Sequence, residues 1–320
     1  MLWILESPAS DPHDNLALEE FCFRNSGLDG EILLLYVNSP AVVIGRHQNP
    51  WAEVDMGYAM RKGIPVVRRI SGGGAVYHDR GNLNLCFIGP FHRGRRFAAR
   101  RLFDPLIDLL RENGLPVRQN RRNDLMVNGR KVSGNAQYTD LHRWLVHATL
   151  LVDTDLGDLI RVLAGSIRPQ HSLAVGSRRT EVGNVAPSSN PFQASGAWKQ
   201  ELARRYAAAD TVSPLSLDAL QQRSISRLAM GKYRSRDWNI AKTPAFSVCG
   251  TLRLPEEHYP VVLRVERGDV TAAEIADANR LDTRALSMER LPDKRFEILF
   301  ESGTFVPPDG SNEGQGSLSS

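Results

Sequence analysis

The chain has 320 residues, 42% of them hydrophobic and 24% charged, with net charge +4 and a pI near 9.1. That is enough apolar matter for a full core in one large domain or two unequal ones. The basic excess is too mild to demand nucleic acid, and an anionic substrate or an acidic protein partner suits it as well.

The longest purely apolar run, residues 32–37, is far too short to cross a bilayer. The first residues lack a basic region and a cleavage site, so the expected location is cytoplasmic, with no membrane partner. Cys22, Cys86 and Cys249 are widely spaced, form no metal pattern and suit buried thiols in a reducing compartment.

In chain order, residues 2–6 read as a strand. Residues 11–25 read as a helix capped by Asp11 or Asp14, with Leu16, Glu20 and Phe23 at helical spacing. Residues 31–37 and 41–45 are strands around the turn cluster Asn38-Ser39-Pro40. Residues 45–51 form a polar loop stiffened by Pro50 and Trp51, and 55–62 a short helix.

The stretch VVRRISGGGAVYHDRGN (66–82) follows. Gly72, Gly73 and Gly74 are costly to order, yet they lie between two strand patterns, 64–67 and 75–77. Such bracketing suggests that a ligand or another backbone approaches where no Cβ fits. With Arg68 and Arg69 beside bare amides, the ligand is expected to be an anion. No Lys-Ser/Thr follows, which excludes a P-loop, and strand rather than helix follows, which excludes a Rossmann turn. A bulged hairpin with a glycine corner is the plain alternative.

Residues 83–88 read as a core strand holding Cys86, and 97–113 as an amphipathic helix. Then comes NDLMVNGRKVSGNA (123–136), where Asn128-Gly129 signals a two-residue hairpin turn. That register sets Val127 against Arg130, Met126 against Lys131, Leu125 against Val132 and Asp124 against Ser133. Leu125, Val127 and Val132 then share the core face. Asp124, Met126, Lys131 and Ser133 share the other, with Asp124 and Lys131 in diagonal reach. A fixed cation at Lys131 beside a glycine-rich anion site could stabilise developing negative charge; a solvated surface pair is the alternative.

Residues 145–152 read as a strand on which His147 and Thr149 share a face, and 155–163 as a helix. Residues 164–196 form a long loop suited to a lid. Helices are expected over 197–209 and 215–230. The basic cluster 92–101, with Arg118, Arg121 and Arg122, reads as a solvated face or a docking surface for an acidic protein, since Phe97 alone could stack a base. The expected organisation is a large domain over 1–236, a linker over 237–244, a small α+β unit over 245–305 with strands at 246–254 and 261–266, and a disordered tail over 306–320.

GRHQNPWAEV (45–54), RRISGGGAVYHDRGN (68–82), NDLMVNGRKVSGNAQ (123–137), VHATLLVDTDL (146–156) and, more weakly, DWNIAKTPAFSV (237–248) resemble the lipoate–protein ligase A family in order and spacing. The resemblance implies an α+β catalytic domain with a mixed, largely antiparallel sheet like that of biotin ligases and class II synthetases. It implies activation of lipoate with ATP and Mg2+ to lipoyl-AMP, then transfer to a lysine of a lipoyl domain. Acceptors would be 2-oxoacid dehydrogenase acyltransferase subunits, glycine-cleavage H protein or a specialised lipoyl carrier, with the ligase a monomer.

By the same resemblance, Lys131 is catalytic and contacts both carboxylate and α-phosphate. Arg69, Ser71, Gly72, Gly73, Gly74, Ala75, Val76, Tyr77, His78, Asn82, Asp124 and Ala136 surround the adenylate, while Leu16, Tyr36, Arg69, Lys131 and His147 contact lipoate. No direct motif for a metal ion is present. Val146-His147-Ala148 stands where the family usually has His-His-Gly, and Tyr36 where some members have Trp. Two rival functions remain: an ATP-independent lipoyl or octanoyl transferase, and a non-catalytic lipoyl-domain binding or regulatory protein. A cysteine relay is disfavoured because Cys86 lies in a core strand and no cysteine is expected near His147.

Overall fold

In a computed structural model, the described residues are 1–25, 30–91, 99–186, 191–209, 212–255, 257–275 and 284–308. Alternating apolar residues build a six-stranded sheet in the order Asn135–Thr139, Arg143–Leu151, Asn82–Pro90, Glu31–Val37, Leu2–Glu6, Val212–Pro214. The first three pairings are antiparallel and the last two parallel. The fold is α+β with a mixed, largely antiparallel sheet.

The two-residue period of a strand divides this sheet cleanly. Leu33, Leu35, Leu85, Phe87 and Val146 pack on one face with Leu102, Leu106 and Leu202 from the helices Ala99–Glu112 and Pro191–Ala209. Leu34, Tyr36, Cys86, Ile88 and Leu145 pack on the other with Leu16, Ala17 and Phe23 from the helix Pro12–Arg24. Each fully buried Leu or Phe contributes about 1.5–3 kcal/mol. Asp11 caps that helix, its carboxylate accepting from the His13 amide.

A three-stranded sheet of Val66–Arg68, Ala41–Ile44 and Val76–His78 carries the glycine loop, with Val43 and Val67 in the same core as Leu16, Leu34 and Tyr36. A second, Val117–Gln119, Leu125–Val127 and Arg130–Ser133, carries the Asn128-Gly129 turn. Five strands, Arg284–Ala285, Asp269–Ile275, His258–Glu266, Phe246–Arg253 and Phe305–Val306, form the C-terminal sheet around Phe246, Val248, Leu263, Phe296 and Phe305. Among the described residues, no helix is long and apolar enough to cross a membrane.

Several sequence expectations change. The long loop ends before Pro191, because the helix Pro191–Ala209 starts earlier than its apolar periodicity. Asn49 caps a helical turn, Pro50–Glu53, inside the supposed rigid loop. Val212–Pro214 adds an edge strand too short to carry a pattern. Phe305–Val306 pairs with Phe246–Arg253, so Val306 is ordered where a tail was expected; residues 309–320 of that tail lie outside the described residues. So do residues 92–98 of the basic cluster.

Candidate active site

The glycine loop and the hairpin meet across one cavity of about 310 Å³. Its walls are Leu16, Tyr36, Val43 and Val76 on the apolar side, and Gly73, Gly74, Asp124 and Lys131 on the polar side. At the turn, Asn128 and Gly129 both have positive φ, 50° and 81°, as the dipeptide required. Met126 then faces Lys131 and Val127 faces Arg130, but the register shifts beyond Met126, so Leu125 faces Ser133. This bulge corrects the expected pairing of Leu125 with Val132 and of Asp124 with Ser133. It also buries Ser133 with the core instead of leaving it beside Lys131.

The Lys131 ammonium sits 2.9 Å from Asp124 Oδ1. It lies directly over Gly134, where an added Cβ would stand 2.8 Å from Nζ. Gly134 is therefore the residue that lets the cation lie flat against the cavity wall. On the opposite wall Gly73 has φ +88°, and a Cβ on Gly45 would stand 2.1 Å from the Gly73 carbonyl. Another backbone does approach the triple glycine, but the position where it excludes a Cβ is Gly45; a Cβ on Gly72, which does not line the cavity, would meet nothing within 4 Å.

Two buried arginines hold this loop. Arg69 donates to the Val43, Gly72 and Gly74 carbonyls at 3.0, 2.6 and 2.8 Å and to Ser71 Oγ at 3.0 Å. Arg68 donates to the carbonyls of Gly45, Arg46, Gln48, Trp238 and Asn239 and to Thr243 Oγ1. Burial pulls each guanidinium down to about 10, so both are charged at neutral pH. Arg69 shapes the loop from within, and Arg68 ties its base to the segment leading into the C-terminal sheet.

His147 lies on the cavity wall with both ring nitrogens engaged: Nε2 is 2.7 Å from Ser71 Oγ and Nδ1 3.2 Å from Glu19 Oε2. The other Glu19 oxygen accepts from the Tyr36 hydroxyl at 2.9 Å. Contrary to expectation, a cysteine is close to His147: the register pairs His147 with Cys86 on the neighbouring strand. Glu19, Cys86 and His147 bring potential ligand atoms within 4.8 Å of one another. Burial, reinforced by Glu19, pushes the Cys86 thiol well above its ordinary range, which leaves it a poor nucleophile.

Of the residues singled out from the sequence, Leu16, Tyr36, Arg69, Gly73, Gly74, Ala75, Val76, His78, Asp124, Lys131, Ala136 and His147 all line the cavity. Ser71 stands behind His147. Tyr77 packs away from the cavity with Val42 and Ile44, and Asn82 donates to Asn84, which does line it. Sequence reasoning missed Arg122, Ser177, Arg178 and Thr180 on the rim. Only the length of the loop after residue 163 pointed toward the last three.

That loop crosses the cavity and is fastened on both sides. Ser177 Oγ accepts from the Ala75 amide at 2.8 Å and from Gln48 Nε2 at 3.0 Å. Further on, Lys131 and Val182 form a parallel bridge, the Lys131 amide donating to the Glu181 carbonyl and the Gly183 amide to the Lys131 carbonyl. A partly covered cavity with apolar walls and a cation and bare amides in it can hold an acid by its carboxylate.

Residues 11–204 match the family model described as the lipoyl protein ligase A/B catalytic domain. The chain is 32% identical over 283 residues to lipoate-protein ligase LplJ of Bacillus subtilis (strain 168), covering 86% of this chain and 84% of that one. Among solved structures, a T. acidophilum protein with bound lipoic acid superposes with a TM-score of 0.59 at 26% identity, covering 74% of this chain and 98% of that one. A lipoate-protein ligase A bound with ATP gives 0.59 at 26% identity, over 74% and 97%. The chain belongs to the lipoate–protein ligase family.

Proposed function

We propose that this chain activates lipoate with ATP and passes the lipoyl group to a lysine of a lipoyl-domain protein. The observation that carries this reading is the position of Lys131: its ammonium lies over Gly134 on one wall of the cavity whose facing wall is the glycine loop. Attack of a carboxylate oxygen on the α-phosphorus brings two anions together. A single cation contacting both lowers that repulsion, and the P–O bond to pyrophosphate breaks as the new one forms. In the second step the acceptor amine attacks the acyl carbon, the C–O bond to AMP breaks, and the amine proton is lost. Lys131 and the loop amides then face the charge developing on the acyl oxygen.

In this reading Arg69 and Ser71 are positioning residues, since their polar atoms are spent on the loop and on His147. Gly73 to Val76 receive the adenylate; Leu16, Tyr36 and the His147 ring wall the acyl tail. Asp124 is the one carboxylate among the described cavity residues, and hence the side chain that would help hold Mg2+ alongside the substrate phosphates. Mg2+ would supply charge neutralisation on the leaving pyrophosphate. The segment 164–186 serves as the cover that protects the acyl-adenylate from water. Residues 1–236 constitute the catalytic unit, and 245–305 an accessory unit joined through 237–244.

The test is the mass of an unlipoylated lipoyl domain after incubation with this protein, lipoate and MgATP. One lipoyl group on one lysine, absent when ATP is omitted, is the expected result. Equal modification from an acylated carrier without ATP would show a transferase instead. Binding to the domain with no modification from either donor would show a non-catalytic protein.

A further inference from the structure

Cys86 has neighbours that no spacing in the sequence announces. Glu19 lies on the helix Pro12–Arg24, Cys86 on the strand Asn82–Pro90 and His147 on the strand Arg143–Leu151, yet their potential ligand atoms are within 4.8 Å of one another. No other group of three or more His, Cys, Asp or Glu side chains is so disposed among the described residues.

Glu19 is the charge at the centre of this group. Its carboxylate is buried and accepts from the Tyr36 hydroxyl at 2.9 Å and from the Cys86 thiol, and it faces His147 Nδ1 at 3.2 Å. Among the described residues its ion-pair partner is His147 alone; Arg69, which acts on it from further off, spends its guanidinium on carbonyls and on Ser71. A buried carboxylate without a matching cation is costly. If a divalent cation takes the place of the thiol proton, then thiolate, carboxylate and neutral imidazole balance its charge and the group becomes neutral as a whole. A coordinating thiol is deprotonated outright, so the ion outweighs the burial that keeps Cys86 protonated.

The protons around His147 can follow. A carboxylate only accepts, so Nδ1 carries the hydrogen toward Glu19, and Nε2 accepts from Ser71 Oγ at 2.7 Å. With an ion on Nδ1 that hydrogen moves to Nε2 and is donated to Ser71 Oγ, whose own hydrogen turns to the Gly72 carbonyl at 3.5 Å. The ring thereby keeps a partner on its outer nitrogen, as metal-bound histidines do. The thiol proton leaves to solvent.

Thiolate, imidazole and carboxylate form a borderline-soft set that suits Zn2+, whereas Mg2+ takes oxygen ligands. Water completes a tetrahedral site with three protein ligands. His147 is 12% exposed and lines the cavity, so the group lies one side chain behind that wall. We propose that Glu19, Cys86 and His147 form a site for a thiophilic divalent cation of the Zn2+ class, separate from the Mg2+ that accompanies ATP. This binding does not rest on the ligase reading.

The test uses Co2+ as the probe, added to the full chain without thiol reductant or nucleotide. One equivalent should bind and produce a thiolate-to-cobalt charge-transfer band in the near ultraviolet. Zn2+ should abolish that band, and Mg2+ should leave it in place. The band should survive Cys249→Ser, since that half-buried thiol stands apart on the C-terminal sheet, and vanish in Cys86→Ser. A band missing from the wild type, or one that goes with Cys249 instead, overturns the proposal. X-ray absorption of the wild-type cobalt form needs no variant to fold. It should show a single sulfur beside nitrogen and oxygen; a shell of nitrogen and oxygen only, the mark of an adventitious ion, overturns the proposal as well.

Discussion

The surroundings of the cavity and the C-terminal sheet bury different things. Around the cavity, Glu19, Arg68, Arg69, Ser71, His78, Asn82 and Asn84 are all buried, while among the described residues no polar side chain beyond Thr243 is. The C-terminal core is instead aromatic: Phe296 stands 5.0 Å from Trp51, 5.6 Å from Phe246 and 5.4 Å from Phe305. A strand pattern and apolar volume suffice to build that aromatic core, which Trp51 and Ile167 also join. The cavity's surroundings carry groups that are expensive to desolvate, and every oxygen that accepts from Arg68 and Arg69 is a carbonyl or hydroxyl rather than a carboxylate. Polar burial of that kind marks where geometry matters more than stability.

The comparison is broken most forcefully from the apolar side. Phe296→Ala should cost about 3–5 kcal/mol, since the ring is fully buried among four others. In urea unfolding followed by near-UV circular dichroism, this should appear as a lowered midpoint, with the half-reaction forming the adenylate reduced less than tenfold at low denaturant. A collapse of adenylation would mean that the aromatic core shapes the cavity, which it reaches through Trp51.

Arg69→Ala sharpens the contrast by about 3 kcal/mol, because three carbonyls and the Ser71 hydroxyl lose their donor. Melting temperature and turnover should fall together. Arg69→Lys should not restore either, because one ammonium cannot reach oxygens placed around a planar fork.

A further difference concerns pH. His78 is depressed to about 3 when folded, by burial first and then by Arg69 and His147. In the unfolded chain it titrates near 6.5, so between these values the unfolded state binds the extra proton. The stability associated with a neutral His78 is complete above pH 6.5 and declines as pH falls toward 3. His78→Phe should flatten that part of the stability profile measured by denaturant titration; an unaltered slope would mean that other groups set it.

Much of this site was legible in the sequence because its local chemistry is restrictive. Three glycines between strands and Asn128-Gly129 before Lys131 admit few backbones, and both walls followed from them. Ser133 was misplaced because a bulge leaves no trace in an alternating pattern. The pairing of Cys86 with His147 depends on a register between strands about 60 residues apart, which no turn determines. Ser177, Arg178 and Thr180 reach the cavity on a loop without periodicity, and Arg122 on the turn between the strands Val117–Gln119 and Leu125–Val127. The buried hydrogen bonds from Ser7 to Asn15, Asn15 to Asn38 and Asn38 to His78 join four segments whose polar residues look like ordinary turn and cap chemistry.

Removing the ammonium at Lys131 tests the central claim most directly. With lipoate and MgATP, rapid-quench measurement of pyrophosphate should show Lys131→Ala slowed by about 10²–10³, with its melting temperature within a few degrees of wild type because Lys131 is a partly exposed side chain. A variant that releases pyrophosphate at the wild-type rate would contradict the assignment of this cavity as the site of acyl activation.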